Sequence, residues 1–343
     1  MRAWRVHRYG SPSEALELDE VDRPDAGPCD VLVRATATVL DYNDVDGCRG
    51  RYLTVKPPLP YVLGMETVGV VEAAGPGAEE WVGRRVMTTP HGATGGYAEW
   101  AAAPRAMTFP VPEEMADDDA AAFYFPYHVA GLSLIVRGRL QAGETILVHA
   151  AAGGVGSAAV LLAKALGARV VATCGGPGKV AFVEALGADR VIDYRRDDFA
   201  DVVLEDTHGI GVDVVLDTVG GNVTERSWHC IALGGRHLIA GFSGGIESED
   251  EAWIKPRSLV FGNFDLMGVI MAYQDDPVAI KRATGFNFVP VPRARALHAQ
   301  LTGLYREGRI RPVIGKRIAF ADVPSGLEAL ERRETIGRTV VRI

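Results

Sequence analysis

The spacing of hydrophobic residues changes along the chain, and its most regular part lies near the centre. Residues 145–148 form a continuous apolar, β-branched run, which is typical of a buried parallel strand. Small residues follow over 150–156, and apolar residues then recur at three- or four-residue spacing from Val155 to about Leu166, which predicts a helix. Residues 169–174 predict a second strand. This order of strand, glycine-rich turn, helix and strand indicates half of a mononucleotide-binding unit.

The same alternation continues beyond this unit. Further strands are predicted at 190–194, 212–217, 236–240 and, at an edge of the sheet, 264–271. The helices between them are predicted up to Gly187, near 199–205 and around 224–233. Because each crossover between parallel strands is right-handed, these elements predict a Rossmann-type doubly wound parallel sheet.

The N-terminal part has a different pattern. Short β-rich segments alternate there with Pro- and Gly-rich turns, at 3–6, 31–38, 68–72, 85–88 and 98–102. Such spacing is typical of a compact barrel-like β domain. Two short strands near the C-terminus, at 317–320 and 338–342, are expected to rejoin it. We therefore predict an α/β protein with a discontinuous β-barrel domain (1–122 and 273–343) and a dinucleotide-binding domain (123–272).

The glycine-rich turn carries the clearest chemical signal. Its pattern is Ala151-x-Gly153-x-x-Gly156, in which alanine replaces the first glycine of the usual fingerprint. A pyrophosphate needs close approach to the backbone and free amides at a helix N-terminus, where the helix dipole favours an anion. Small-residue turns also serve plain helix–strand packing, but the strand and helix on either side favour a dinucleotide site.

Composition and net charge exclude some classes of binding partner. With 36 Lys and Arg against 44 Asp and Glu the net charge is −8, and there is no basic block, so nucleic acid and anionic membranes are not expected partners. The four cysteines are far apart in sequence and are expected to be reduced thiols of a cytoplasmic protein: Cys29, Cys48, Cys174 and Cys230. Neither a signal peptide nor a membrane span is predicted.

Several motifs together resemble one family. They are HAAAGGVG (149–156), VIDYR (191–195), VDVVLDTVGG (212–221), LGMETVGVV (63–71), DYND (41–44) and RGRY (49–52). In these the chain resembles the medium-chain dehydrogenase/reductase superfamily, and within it the zinc-independent NADPH:quinone oxidoreductase, or zeta-crystallin-like, branch. The resemblance implies a GroES-like β-barrel catalytic domain beside the Rossmann domain. It also implies a homodimer, formed through the strand equivalent to 264–271.

Departures from the zinc-dependent relatives concern the reaction. Those relatives have a cysteine ligand in the segment matching 40–46 and a histidine at the position of Met65, and this chain has neither. The thioether of Met65 is a poor ligand for catalytic zinc and is interpreted as core packing. Without a Lewis acid, hydride is expected to go to an acceptor that is already electrophilic, namely a quinone or an enone, with no metal involved.

The end of the second strand indicates which cofactor is bound. NAD-preferring sites have an acid there, whereas this chain has Thr173-Cys174-Gly175, with Lys179 just beyond, which predicts NADPH. By resemblance, Gly175 and Lys179 hold the 2′-phosphate, Tyr194 lies by the adenine and Arg333 reaches the cofactor. Lys179 and Arg333 can also be read as solvated surface charges. The remaining backbone positions predicted to contact the cofactor are Ala151, Gly153, Gly154, Val155, Gly156, Gly241 and Phe242.

At the nicotinamide end the resemblance is weaker. It implies that Tyr42, Asn43, Val45 and Asp46 line the ring, but Asp46 replaces an aromatic residue that is common there. Val129 stands where the family has a threonine, so a hydrogen bond to the nicotinamide is lost at that position.

Two residues are candidate catalytic groups. Tyr52 matches a pocket tyrosine and could hydrogen-bond the acceptor carbonyl, or could pack against neighbouring prolines. His128 lies in an aromatic helix, where it is either a general acid for the enolate or a structural residue.

These features predict a zinc-free, NADPH-dependent oxidoreductase that reduces a small-molecule quinone or α,β-unsaturated carbonyl. An enoyl-thioester reductase acting on an enoyl-CoA is the first alternative. The second is a non-catalytic, NADPH-binding redox sensor.

Overall fold

The computed structural model describes residues 1–51, 56–244, 254 and 256–343. Its strands, in chain order, are β1 (Arg2–Val6), β2 (Leu16–Glu20), β3 (Asp30–Val39), β4 (Tyr61–Val62), β5 (Thr67–Ala74), β6 (Arg85–Thr88), β7 (Trp100–Pro104), β8 (Thr108–Pro110), β9 (Thr145–Val148), β10 (Arg169–Cys174), β11 (Arg190–Asp193), β12 (Val212–Asp217), β13 (Ile231–Ile239), β14 (Asp265–Gly268), β15 (Tyr273–Gln274), β16 (Val289–Pro290), β17 (Ile314–Ala319) and β18 (Arg338–Arg342). Its α-helices are α1 (Pro12–Ala15), α2 (Tyr42–Arg49), α3 (Asp117–Gly131), α4 (Gly154–Ala165), α5 (Pro177–Ala185), α6 (Phe199–Asp206), α7 (Asn222–Ser227), α8 (Pro256–Gly262), α9 (Pro277–Thr284), α10 (Val291–Arg306) and α11 (Val323–Glu331). Among the described helices, none combines the length and the hydropathy that a bilayer crossing requires.

The chain forms two compact units. The first comprises residues 1–124, 272–298 and 312–343, and the second comprises 125–271 and 299–311. Residues 299–311, which the sequence-based division gives to the β-rich domain, therefore belong to the second unit.

The second unit is built on one parallel sheet. Its strand order is β11-β10-β9-β12-β13-β14, and each neighbouring pair runs parallel. The chain leaves β9 toward β10 on one side and later crosses to β12 on the other, so a topological switch point lies between β9 and β12. Ile146, Leu147 and Val148 of the central strand β9 are completely buried. The predicted α/β class with a doubly wound parallel sheet is confirmed.

One element of this unit was predicted wrongly. The helix expected around 224–233 ends at Ser227, and β13 already begins at Ile231. Helical spacing in this stretch is overridden by parallel pairing with β12, which includes a bulge between Val212 and Val214. The predicted edge strand is found as β14, paired with β13.

The first unit is mainly antiparallel β-structure. Its largest sheet has the order β17-β18-β3-β5-β6-β8, with β7 also paired to β3. The C-terminal strand β18 pairs antiparallel with β3, which joins the end of the chain to its beginning. A core of valines and Trp81 fills the sheet around β3, β5 and β6.

Candidate dinucleotide site

The turn between β9 and α4 has the geometry that its glycines predict. Gly156 is buried, and a Cβ built there would lie 2.7 Å from the Cα of Ala151 and collide with the carbonyl oxygen of Ala150. Ala150 itself adopts a left-handed conformation with φ of 50°. The Ala151 amide donates to the carbonyl of Thr173 at 3.0 Å, which ties the turn to β10. Ala151 can replace the first glycine of the fingerprint because the residue with the left-handed conformation is the one before it, Ala150.

The N-terminus of α4 is open to an anion. Gly153 is the N-cap and contributes no side-chain cap, and the first turn contains no acidic residue. The amides of Gly154, Val155 and Gly156 belong to the first helical turn and have no intrahelical acceptor. Gly153 is exposed, and Gly154 and Val155 are partly so. These residues fit a pyrophosphate, since bare amides and the helix dipole meet at a cradle that side chains would fill.

The turn after β10 is also built from glycines. Gly176 has a φ of +91°, and a Cβ on Gly175 would lie 2.6 Å from the Tyr194 hydroxyl oxygen. The Tyr194 amide donates to the Cys174 carbonyl at 3.1 Å, so the residue after β11 lies against the end of β10. Lys179 lies half-buried in the first turn of α5. The structure therefore brings Gly175, Tyr194 and Lys179 to one place.

The end of β10 carries no ionised acid. Thr173 and Cys174 are both buried, and burial raises the pKa of the Cys174 thiol to about 11, which leaves it neutral. A neighbouring carboxylate, Asp193 at the end of β11, accepts a hydrogen bond from the Gly176 amide at 3.0 Å. That hydrogen bond, with one from the Arg195 amide, lowers the pKa of Asp193.

Sequence reasoning assigned no role to Arg195, although it closes the VIDYR motif. Its Nε atom lies 3.0 Å from an ideal Cβ on Gly175, and its Nη1 atom 3.3 Å from one on Gly176. The guanidinium therefore lies directly on the glycine turn. The signal available in the sequence was the position next to Tyr194.

A buried carboxylate organises the loop after β12. Asp217 accepts hydrogen bonds from the amides of Val219 and Gly220, at 2.8 and 2.9 Å, and from the Thr224 hydroxyl at 2.5 Å. His237 Nε2 lies 3.4 Å from Asp217 Oδ2. Because His237 Nδ1 accepts the indole N–H of Trp228, Nε2 carries the ring proton and donates it to Asp217. Burial alone would raise the pKa of Asp217, but these hydrogen bonds lower it below its usual range. Sequence reasoning missed this residue.

A neutral histidine joins three neighbouring elements. His149 Nδ1 lies 3.0 Å from the Thr173 hydroxyl of β10, and Nε2 lies 2.9 Å from the Ser227 hydroxyl of α7. The Ser227 hydroxyl donates to a carbonyl of its own helix, so it accepts the Nε2 hydrogen of His149. Burial lowers the pKa of His149 to about 4, which keeps the ring uncharged. The histidine of the glycine motif thus links the carboxyl ends of β9 and β10 to α7.

Gly241 and Phe242 follow β13 at the same edge of the sheet. A Cβ on Gly241 would lie 3.0 Å from the carbonyl oxygen of Thr218, in the loop after β12. The side chain of Phe242 is 44% exposed. Both residues lie at the edge formed by the carboxyl ends of the parallel strands. Open α/β sheets bind ligands at this edge, next to the switch point.

In the first unit, the residues predicted to line the nicotinamide lie on α2. Tyr42 is half-buried, Asn43 is exposed, and Val45 and Asp46 are buried. The amide of Asn43 contacts the Met65 sulfur at 3.2 Å. Asp46 pairs with Arg51 at 3.2 Å, and burial raises the pKa of Asp46 against the opposing charge of that arginine.

A buried charge cluster lies beside α2. Arg338 donates to both carboxylate oxygens of Asp41, at 2.6 and 3.1 Å, and also to Glu66. Asp44 accepts from the Tyr97 hydroxyl at 2.5 Å. Burial, together with repulsion from Asp41, raises the pKa of Asp44 well above its usual range. In this setting Met65 is 3% exposed, which agrees with its interpretation as a packing residue.

The other predicted site residues are placed as follows. His128 and Val129 lie in α3 and are buried, at 0% and 4% exposure. Arg333 follows α11, is exposed and has a left-handed φ of 58°. Tyr52 lies outside the described residues.

Comparisons with known proteins agree with this geometry. Residues 27–113 match the family model described as alcohol dehydrogenase GroES-like domain, and residues 154–284 match that described as zinc-binding dehydrogenase. Quinone oxidoreductase of Rattus norvegicus is 32% identical over 271 residues, which cover 78% of this chain and 80% of that protein. The chain belongs to the medium-chain dehydrogenase/reductase superfamily. Within that superfamily it is quinone oxidoreductase-like, as predicted.

Solved structures support the same assignment. A mycobacterial protein complexed with NADPH superposes with a TM-score of 0.86 at 30% identity, with complete coverage of both chains. Quinone oxidoreductase from Thermus thermophilus, solved also in complex with NADPH, gives a TM-score of 0.77 at 33% identity, again over both whole chains.

A second group of relatives is much longer. A phenolphthiocerol/phthiocerol polyketide synthase of Mycobacterium tuberculosis is 40% identical over 231 residues, or 66% of this chain. The match covers 10% of that protein, so the chain spans about a tenth of the length of these relatives.

Proposed function

We propose that this protein is an NADPH-dependent reductase that transfers hydride to a quinone or an α,β-unsaturated carbonyl without a catalytic zinc. The observation that carries the proposal is the nucleotide edge of the second unit. There the first turn of α4 has neither a side-chain cap nor an acidic residue, and the end of β10 is followed by a glycine turn near Lys179 and Arg195 rather than by an acid. Relatives named quinone oxidoreductase, and the two structures with NADPH, support the same reading.

The residues of the second unit perform the binding. The α4 amides would hold the pyrophosphate, and Gly156 would leave room for it by packing the helix tightly on the turn. Gly175, Lys179 and Tyr194 would hold the adenosine end. NADPH supplies the hydride, and the chain supplies position and a fixed electrostatic environment.

Zinc is not part of the proposed mechanism. Although one matching family is described as zinc-binding, Met65 stands where the zinc-dependent relatives have histidine, and its sulfur contacts Asn43. Asp46, a possible oxygen ligand, is paired with Arg51. Among the described residues, ligating side chains converge instead at His7, Glu17 and Asp19, where Arg5 and Arg8 form ion pairs with the two carboxylates.

The test is an acceptor panel on one metal-analysed preparation. It uses NADPH with a 1,2-quinone, a 1,4-quinone, a simple enone and crotonyl-CoA. Turnover of a quinone or the enone without stoichiometric zinc is expected. One zinc per chain that is required for turnover would overturn the mechanism, and saturable NADPH binding without turnover of any acceptor would indicate the redox sensor.

An enoyl-thioester reductase is the second candidate. The polyketide synthase match favours it, because its 40% identity is higher than the 32% of the rat quinone oxidoreductase. Turnover of crotonyl-CoA alone in the same panel would select it.

His128 is proposed as the general acid for the enolate, with protonation by water as the alternative, and Tyr52 as a hydrogen-bond donor to the acceptor carbonyl. His128 is completely buried, so a catalytic role requires a proton path to its ring. A His128→Asn variant that folds and keeps its activity would exclude His128 and leave water as the proton source. A Tyr52→Phe variant tests the hydrogen bond to the carbonyl in the same assay.

A homodimer is also proposed. Within the described residues, β14 pairs with β13 on one side only, and large apolar side chains near it are exposed, with Leu233 at 84%, Val260 at 69% and Phe261 at 79%. Light scattering after size exclusion should give a dimer for the wild type and a monomer for Phe261→Asp. The matched control Val278→Asp, at an exposed position of α9, should remain dimeric, and a monomeric wild type would refute the proposal.

A cytoplasmic location is the remaining part of the proposal. All four cysteines are free, and Cys48, Cys174 and Cys230 are buried. Fractionation of the source cells, with the protein in the membrane or exported fraction, would contradict it.

A further inference from the structure

Arg195 is held in a defined position at the carboxyl end of β11. Its amide donates to Asp193 Oδ1 at 3.1 Å, and the same oxygen accepts the Gly176 amide at 3.0 Å. One carboxylate oxygen therefore joins the turn after β10 to the turn after β11. The backbone that carries Arg195 is fixed relative to the glycine turn.

The side chain of Arg195 covers that turn. Gly175 and Gly176 are buried although they lie in a surface turn, because the exposed side chains of Tyr194 and Arg195 lie over them. The guanidinium has five N–H donors. Among the residues that the structure describes, it forms neither a hydrogen bond nor an ion pair, and Asp193 directs Oδ1 at the two amides.

The charged groups around the turn carry a net positive charge, with Lys179 and Arg195 against Asp193. Lys179 lies in the first turn of α5, whose N-cap is Gly176 and whose first turn has no acidic residue. Lys179 and Arg195 therefore place two cations on different elements around the turn, against one carboxylate, Asp193, whose Oδ1 atom already accepts the Gly176 and Arg195 amides. In dinucleotide-binding sheets, the 2′ position of the adenine ribose lies at the end of this second strand.

We infer that Arg195 recognises the 2′-phosphate of NADPH and is a determinant of the choice between NADPH and NADH. The inference rests on the proposed function, in which a dinucleotide binds at the N-terminus of α4. A planar guanidinium offers two parallel donors to a phosphate, which an ammonium such as that of Lys179 does not. A Cβ on Gly175 would overlap the Tyr194 ring and press on Arg195 Nε, whereas Gly176 is required by its φ of +91°.

Equilibrium binding tests the inference without turnover. NADP⁺ and NAD⁺ are titrated separately into the full-length wild type and into Arg195→Gln, by calorimetry. The Arg195→Gln variant should bind NADP⁺ at least about tenfold more weakly, the effect of one lost charge-assisted contact, and NAD⁺ within about twofold of the wild type. The NADP⁺ affinity of this variant should also depend less on salt.

Arg196→Gln is the matched control. Arg196 is the next residue, it is exposed, and the substitution removes the same charge. Arg196→Gln should leave the affinities for NADP⁺ and NAD⁺ within about threefold of the wild type. Arg196 is not expected to contact the phosphate, so the variant loses only a distant charge. Equal melting temperatures for the three proteins confirm that folding is unchanged.

The outcomes separate this inference from the proposed function. If the wild type prefers NADP⁺ and Arg195→Gln keeps that preference, the inference fails and the proposed function stands. Equal losses for NADP⁺ and NAD⁺, or an equal loss in Arg196→Gln, would also overturn it. If the wild type binds neither dinucleotide, the proposed function fails and the inference with it.

Discussion

At the scale of single residues, the two glycines at the start of α4 face very different surroundings. A Cβ on Gly156 collides with the preceding turn, whereas one on Gly153 meets only the Ala150 carbonyl at 3.4 Å, an ordinary contact. Gly153 also has a φ of −82°, which any residue can adopt. Gly156 of the fingerprint is therefore required for packing. Gly153 is required only if a ligand lies close to its backbone.

The pair gives a prediction. Gly156→Ala should push α4 away from the turn, lower the melting temperature and abolish measurable NADPH binding. Gly153→Ala should fold with an unchanged melting temperature, and any effect should be confined to cofactor affinity. Thermal unfolding and NADPH titration of both variants check this. Normal binding by Gly156→Ala would show that the packing contact is not needed.

Asp217 provides a prediction with a pH dependence. Its folded-state pKa is lowered, so its ionised form stabilises the fold above the unfolded-state pKa, and this stability is lost as the pH falls through the folded value. Asp217→Asn should cost about 1–3 kcal/mol at pH 7, the range for a buried hydrogen-bonding group left imperfectly paired. The deficit should shrink as the pH falls below about 4, the unfolded-state value.

Denaturant unfolding at pH 7 and at about pH 3, roughly one unit below that unfolded-state value, measures this difference. A deficit that is equal at the two pH values would mean that the charge of Asp217 has no part in the stability of the loop.

The residues found from sequence were those whose role is local. The spacing of Gly153 and Gly156, and the absence of an acid in Thr173-Cys174-Gly175, are properties of consecutive positions. Arg195 was missed because its position depends on contacts between the ends of neighbouring strands. Asp217 was missed because its burial and its contact with His237 of β13 are not visible in its own segment. No spacing in one segment reports such contacts.

At the scale of elements, the spacing of hydrophobic residues predicted most strands and helices of the second unit, with small errors in where they begin and end. The helix predicted from Val155 to about Leu166 is α4, Gly154–Ala165, and the strand predicted at 212–217 is β12. Agreement is good here because these elements are long, regular and buried. The α7–β13 region failed because a short helix and a bulged strand share apolar residues whose state only tertiary pairing decides.

Two helical glycines give a prediction at this scale. Gly303 lies inside α10 with nothing within 4 Å of a built Cβ, whereas a Cβ on Gly326 in α11 would lie 2.6 Å from the Leu40 side chain and 2.8 Å from that of Ile318. Gly303→Ala should stabilise the protein by about 0.5–1 kcal/mol, since alanine is the better helix former. Gly326→Ala should destabilise it, because the buried Leu40 and Ile318 side chains, or α11 itself, must shift to avoid overlap.

Melting temperatures of the two variants check the opposite signs. A decrease for Gly303→Ala, or an increase for Gly326→Ala, would contradict the packing described for these helices.

At the scale of the whole molecule, the sequence predicted two domains and the return of the chain end to the first. Pairing of β18 with β3 accounts for that return. The placement of residues 299–311 in the second unit was not foreseen, because a helical pattern such as that of α10 does not specify its packing partner. The acceptor is undetermined for the same reason: it depends on side chains brought together from distant segments.

The cofactor preference belongs to this scale, since it combines the open N-terminus of α4 with the acid-free end of β10. Lys179→Ala should weaken NADPH binding selectively by about 1–3 kcal/mol, the value of a charge-assisted contact. NADH binding should change little, and titration of both cofactors measures the difference. An equal loss for both would show that Lys179 does not contact the 2′-phosphate.

The ratio of kcat/KM for NADPH to that for NADH, measured with one quinone on metal-free protein, tests the proposed cofactor preference most directly. A ratio well above one is expected, because a 2′-phosphate meets cationic side chains and the end of β10 has no acid for the ribose hydroxyls. A ratio of one or less would contradict the proposed preference.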